Sequence, residues 1–203
     1  MTHILHSGDL PEEVCLGPVV AVDTEAMGLN PHRDRLCLVQ LSAGDGDAHL
    51  VQFALGDYAA PRLKCLLASP DVTKLFHYAR FDLAMLYRYL GVMAAPVYCT
   101  KVASRLARTF TDRHGLRDLC KDLLSIDLSK QQQSSDWGAS SLSEEQLRYA
   151  ASDVLHLHAL RNRLDAILAR EGREGLARAC FEFLPHRVLL DLEGWSEQDI
   201  FAH

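Results

Sequence analysis

Asp23 and Glu25 close the apolar run Val19-Val20-Ala21-Val22-Asp23-Thr24-Glu25, Asp82 follows further along, and Tyr149 and Asp153 stand four positions apart in the second half. Strand residues i and i+2 point to one side, so the first two carboxylates would aim at a common point. Helix residues i and i+4 share a face, which would bring Tyr149 and Asp153 together in the same way. Four carboxylates gathered in one place repel one another unless divalent cations hold them. An all-oxygen donor set suits Mg²⁺ or Mn²⁺, and two such ions flanking a phosphate are a common means of cutting a phosphodiester. The pattern therefore points to two-metal phosphodiester hydrolysis. Each piece alone is weak. An Asp-x-Glu after an apolar run is as readily a strand entering a polar loop, and a lone Tyr-x-x-x-Asp is more often packing. The order, the separations and the surroundings give the set its meaning.

The elements around these residues suit that role. Val19 to Asp23 reads as a buried strand, followed by strands over Arg35–Ser42 and Ala48–Phe53 with Gly44-Asp45-Gly46-Asp47 as the turn between them. Short connections predict an antiparallel meander. A helix around Ala60–Ala68 leads to a fourth strand, Thr73–His77, and Val97–Cys99 forms a short fifth. Phe81, Met85, Leu86, Tyr89 and Leu90 recur at helical spacing up to Gly91, a C-cap. From Thr100 the chain reads as helical, over roughly 100–109, 115–124, 143–169 with a break, and 173–184. The expectation is an α/β fold, a mixed five-stranded sheet flanked by helices with a helical C-terminal half. Gln131-Gln132-Gln133 reads as part of a loop.

The chain's 203 residues suit a single domain spanning 1–203, and 48 % apolar with 24 % charged residues is a globular composition. We expect a cytoplasmic protein without a signal peptide, since Met1–Asp9 lacks a basic segment followed by an apolar one. No run approaches the ~18 apolar residues of a membrane span. The six scattered cysteines include no Cys-x-x-Cys pair, which argues against zinc and for buried, reduced thiols. Net charge is −6, and discounting the four proposed metal carboxylates still leaves −2. Proteins that hold long nucleic acids usually present a basic face. A small anionic substrate held by cations and a few local basic groups fits this chain better than a duplex groove.

Val22-Asp23-Thr24-Glu25, His77-Tyr78-Ala79-Arg80-Phe81-Asp82-Leu83 and Tyr149-Ala150-Ala151-Ser152-Asp153 resemble the three motifs of the DEDD exonucleases. Tyr four residues before the last Asp marks the DEDDy branch, which includes ribonuclease D; the DEDDh branch has His five residues before it, where this chain has Arg148. Lys130-Gln131-Gln132-Gln133-Ser134-Ser135-Asp136-Trp137 and Ser143-Glu144-Glu145-Gln146 are also similar to ribonuclease D. Gly8-Asp9-Leu10-Pro11, Leu29 to Cys37 and Cys99 to Leu106 resemble the short nano-RNase C subfamily of alphaproteobacteria. Larger ribonuclease D proteins usually have Asp-Thr where Cys99-Thr100 stands, and carry C-terminal HRDC-type domains, for which 203 residues leave no room.

The resemblance implies a ribonuclease H-like fold, two Mg²⁺ or Mn²⁺ ions, and a ring-like homo-octamer. Asp23 would bridge both ions, Glu25 and Asp153 would complete the first site, and Asp82 would hold the second ion through water. Tyr149 would orient or deprotonate the attacking water. Leu29 would wedge between bases, although a core leucine is the plainer reading. His77 is expected at the 3′ sugar or base and Phe81 against a base; a structural histidine and a core aromatic are the alternatives. Lys101, Arg105 and Arg108 share a helix face by their spacing and would bind phosphate if they are not merely a solvated face. Gln40 is expected to hydrogen-bond the loop after Glu25, and Trp137 to pack beneath the Tyr149 helix. The leading function is 3'-5' hydrolysis of short RNA, dinucleotides above all, to nucleoside 5'-monophosphates. A broader ribonuclease D-like exonuclease trimming longer RNA or DNA uses the same motifs. A non-catalytic nucleic-acid-binding module would lack a metal carboxylate, and none is missing.

Overall fold

The computed structural model describes residues 2–129, 132 and 134–202. Lys130, Gln131 and Gln133, part of the stretch similar to ribonuclease D, lie outside the described residues. Strands β1 (Thr2–Ser7), β2 (Val19–Ala26), β3 (Leu36–Ser42), β4 (Asp47–Gln52), β5 (Thr73–Phe76) and β6 (Val97–Cys99) form one sheet in the order β1-β4-β3-β2-β5-β6. The meander β2-β3-β4 is antiparallel as expected, and β1, β5 and β6 add in parallel. The sheet therefore has six strands, where five were expected. The additional strand, β1, is a short edge whose Ile4 and Leu5 remain exposed. Its register with β4 is supported by His6 stacked on His49, ring centroids 5.2 Å apart.

The helices are α1 (Pro61–Ala68), α2 (Ala79–Leu90), α3 (Thr100–Ala107), α4 (Leu116–Leu119), α5 (Glu144–Leu155), α6 (Leu157–Arg170) and α7 (Glu174–Leu190). The break within 143–169 falls at His156, and Gly91 ends α2 in the left-handed region at φ 70°. After α4 the chain continues as a π-helical turn, Cys120–Leu124. Pro185 does not end α7, contrary to the expected stop near Leu184. An internal proline removes one helix hydrogen bond. Leu184 and Val188, buried on either side of it in one core, offset that loss.

Two hydrophobic cores flank the sheet. One joins it to α1, α2 and part of α7; the other joins it to α3, α5 and α6. Alternation along β2 sends Val20 and Val22 into the first core and Ala21 into the second. All six cysteines are free; Cys37, Cys99 and Cys120 are buried, but Cys15, Cys65 and Cys180 are exposed, against the expectation that all would be covered.

Candidate active site

The alternation of β2 places Asp23 and Glu25 on the side of the sheet covered by α5. Tyr149 and Asp153 come from that helix, one turn apart. Ser143 and Gln146 fix its start with a reciprocal cap: the Ser143 hydroxyl accepts the Gln146 N–H, and the Gln146 side chain accepts the Ser143 N–H. The Gln146 amide also donates to the Asp136 carbonyl, tying down the segment before the helix. Next in that segment, Trp137 is buried with its ring centroid 6.1 Å from that of Tyr149. Asp23, Glu25 and Asp153 each present a carboxylate oxygen within 4.8 Å of the others.

Asp82 approaches from the opposite helical layer. Thr24 points away from Asp23 and Glu25, and its hydroxyl donates to the Asp82 carboxylate at 2.7 Å. The carboxyl of Asp82 is buried, at 2 % exposure, and Asp23 is close enough to raise its pKa further. One strand thus presents acids to one layer and anchors the remaining acid through Thr24 on the other.

The electrostatics fit a cation site. Burial pushes Asp23 up to about 7. Glu25 rises to about 10, through burial and then the charges of Asp23, Asp153 and Asp82. Asp153 is raised by burial and Asp23. Burial and mutual repulsion both oppose ionisation of such a cluster, and divalent cations bound to the carboxylate oxygens offset the two together. Burial, followed by the neighbouring charges of Asp153, Glu25 and Asp23, raises the Tyr149 phenol, so it is protonated at neutral pH.

The sign of these shifts sets a prediction. Without metal the native site binds more protons than the unfolded chain, so its contribution to stability is intact below about pH 4. It is lost as pH rises from Asp23's ordinary 3.8 through its shifted value of about 7, and Glu25 extends the loss toward 10. Saturating Mg²⁺ or Mn²⁺ should reverse this, stabilising by about 2.7 kcal/mol at a hundredfold excess over the dissociation constant. Thermal midpoints from pH 5 to 9, with and without Mn²⁺, check both parts. A midpoint that Mn²⁺ leaves unmoved would count against the cluster.

Around the acids, Leu29 stands 85 % exposed on the loop after β2. The Asp34 carboxylate accepts the Asn30 N–H at 2.9 Å and pairs with Arg33, shaping that loop; a Cβ at Gly28 would collide with it. Thr100 donates its one hydroxyl proton to the Phe76 carbonyl, so His77 Nδ1, 2.8 Å away, must be the donor to Thr100. That tautomer leaves His77 Nε2 as an acceptor. Burial and Lys101 lower His77 to about 3, so the ring is neutral. Phe81 packs against the first core. Helix α3 ends at Ala107, so only Lys101 and Arg105 of the three basic residues lie on it. Arg108 is 3 % exposed, its guanidinium engaged by Asp122 and the Arg113 carbonyl. Among the described residues, Lys101 and Arg105 have no carboxylate partner. The Lys101 ammonium sits 4.2 Å from the ring centroid of Tyr78.

Three features escaped the sequence. Tyr78 adopts a left-handed conformation (φ 71°) at the start of α2, unusual for a non-glycine residue. Asp191 receives both Arg80 and Arg187, joining the start of α2 to the segment after α7. Gln40, expected to bond the loop after Glu25, is fully buried with neither amide atom hydrogen-bonded. The αL signal at Tyr78 is invisible without coordinates, and the other two depend on long-range packing.

Residues 6–169 match a family described as 3'-5' exonuclease. A curated ribonuclease D from Gluconacetobacter diazotrophicus is 39 % identical over 156 residues, which cover 77 % of this chain but 39 % of the relative. The chain thus spans well under half the length of that relative. Brucella melitensis NrnC is similar over the whole chain: its structure with bound Mg²⁺ is 54 % identical with a TM-score of 0.96, covering 100 % of both chains. Its structure bound to pGG is 55 % identical with a TM-score of 0.97, covering 100 % of this chain and 99 % of the other. Escherichia coli RNase D, 24 % identical with a TM-score of 0.73 over 84 % of this chain and 45 % of its own, shares the ribonuclease H-like exonuclease fold. Among the described residues, no helix is long and apolar enough to cross a membrane. With a matched segment that spans β2, α2 and α5, and a full-length likeness to NrnC, the chain belongs to the 3'-5' exonuclease family as a ribonuclease D-like, DEDDy-type nano-RNase C.

Proposed function

We propose that this protein is a metal-dependent 3'-5' exoribonuclease that hydrolyses short RNA, dinucleotides above all, to nucleoside 5'-monophosphates. The convergence of Asp23, Glu25 and Asp153 within 4.8 Å, with Asp82 held against β2 by Thr24, supports the chemistry. The four carboxylates would hold Mg²⁺ or Mn²⁺, which when bound neutralise phosphate charge and activate water. Water oxygen bonds to phosphorus, the bond from phosphorus to the upstream 3′ oxygen breaks, and that oxygen takes the proton. Tyr149, with its phenol protonated beside Asp153, orients the attacking water. His77 Nε2 accepts a hydrogen bond from the terminal ribose. Leu29 offers an apolar surface against a base, Phe81 backs the site, and Lys101 and Arg105 attract the anionic substrate. Arg108 reaches a phosphate only by releasing Asp122.

The Brucella melitensis protein's complex with pGG supports the length preference, as does this chain's net charge of −6. A dinucleotide offers one scissile phosphate, so its binding rests on that phosphate, two bases and any 5′ phosphate. A site that encloses the 5′ end would favour it over a longer strand. In a time course on labelled RNA of two, three, five, seven and twenty nucleotides, kcat/KM should be highest for the 5′-phosphorylated dinucleotide and fall with length. Equal efficiency on two and twenty nucleotides would favour the broader ribonuclease D-like activity instead.

Enclosure of that kind fits an assembly. Trp195, Ile200 and Phe201, after α7, and Leu176 and Phe183 within it expose large apolar surface, and surfaces of this kind mark contacts. A homo-octamer is the proposed state. Light scattering at micromolar concentration should give eight times the 22.7 kDa chain mass; a monomer would reject it.

A further inference from the structure

Gln40 is a buried polar residue that the proposed chemistry leaves without a task. It lies in the middle of β3, is fully buried, and neither its amide nitrogen nor its amide oxygen has a hydrogen-bond partner. Buried polar groups are nearly always paired, because leaving one unpaired costs free energy. Its place in the ladder suggests what it is for. Gln40 is paired directly across the sheet with Leu50 of β4, which offers no polar atom, and with Asp23 of β2. Directly opposed residues of an antiparallel pair project to the same face, with Cβ atoms about 4.5–5.5 Å apart. Gln40 and Asp23 therefore stand side by side beneath α5. Asp23 takes a backbone hydrogen bond from Thr24, and no contact with the Gln40 amide stabilises its charge.

We infer that Gln40 is a positioning residue for the metal site: its amide holds the Asp23 carboxylate, directly or through one ordered water, when divalent cations are bound. A carboxylate that serves a cation with some of its lone pairs has others to offer a donor, and partners of this kind fix the orientation of a ligating group. An amide suits this place because it donates without adding charge to a cluster already crowded with negative groups. Leucine, the residue type at Leu38 two positions earlier in the strand, would fill the volume without that donor. The inference rests on the reading of Asp23 as a metal ligand.

Gln40→Leu and Gln40→Met in the full chain test it, with Mn²⁺ titrated calorimetrically and thermal midpoints measured without metal. Both variants should bind Mn²⁺ about 10–100-fold more weakly. Their metal-free midpoints should hold or rise, since an unpaired buried amide has been removed. Activity lost at limiting Mn²⁺ should return at saturating Mn²⁺, as expected of a group acting through Asp23. Mn²⁺ affinity within about twofold of wild type in either folded variant would overturn the inference, because partners of this kind act at the tenfold scale or above. Failure of both variants to fold would overturn it as well, by making Gln40 a requirement of the fold. Wild-type protein that binds no Mn²⁺ would overturn the metal reading itself, and this inference with it.

Discussion

Asp23→Asn should lower turnover by at least about 10³-fold, the scale of several kcal/mol of transition-state charge stabilisation. Asparagine keeps the shape of the side chain and removes its charge, so the fold has no reason to change. The carboxylate it replaces lies within 4.8 Å of those of Glu25 and Asp153, and its charge raises Asp82 as well. Like Glu25, it has acid neighbours in both helical layers, and it is the one whose charge raises the carboxyl of Asp82. Removing it also relieves repulsion, so the metal-free variant should melt no lower than wild type while losing most of its response to Mn²⁺. That pair of results separates a lost ligand from a damaged fold. Near-normal turnover with Mn²⁺ would remove Asp23 from the metal site.

Tyr149→Phe should act on a different step. The phenol lies beside Asp153, over Trp137, and burial together with three nearby carboxylates keeps it protonated. Phenylalanine preserves the packing on Trp137 and deletes the hydroxyl alone. Mn²⁺ affinity and KM should be close to wild type, and kcat should fall by roughly 10²–10⁴-fold, the range for a positioned proton-transfer group. Steady-state kinetics at saturating Mn²⁺ give the answer. A rise in KM with kcat unchanged would make Tyr149 a substrate-binding residue.

Much of this arrangement could be read in the amino-acid order, for reasons that are local. The two-residue period of a strand pairs Asp23 with Glu25, and one helical turn pairs Tyr149 with Asp153, whatever the rest of the chain does. Asp82 has no such local signature: it joins the others through a hydroxyl on the far side of β2, and only the motif resemblance points to it. Strand β1 carries no local signature, because Thr2–Ser7 is short, mostly polar and stabilised by pairing with residues about 45 positions away. The stop expected at Pro185 failed because burial of Leu184 and Val188 outweighs one missing backbone hydrogen bond. Lys101, Arg105 and Arg108 looked alike as a spacing pattern, and only packing distinguishes the buried Arg108 from the other two.

The division of the acids between two helical layers also bears on how such a chain can change over generations. Glu25 and Asp153 belong to the layer of α5, Asp82 to that of α2, and β2 is the thin partition between them. A bulkier or smaller side chain deep in either core would shift one helix against that partition and move one acid away from its counterparts. The two cores are therefore not free to drift separately. A tolerated replacement in one would call for a matching replacement in the other, even where the two positions never touch, because both must keep four carboxylates in register across a single strand.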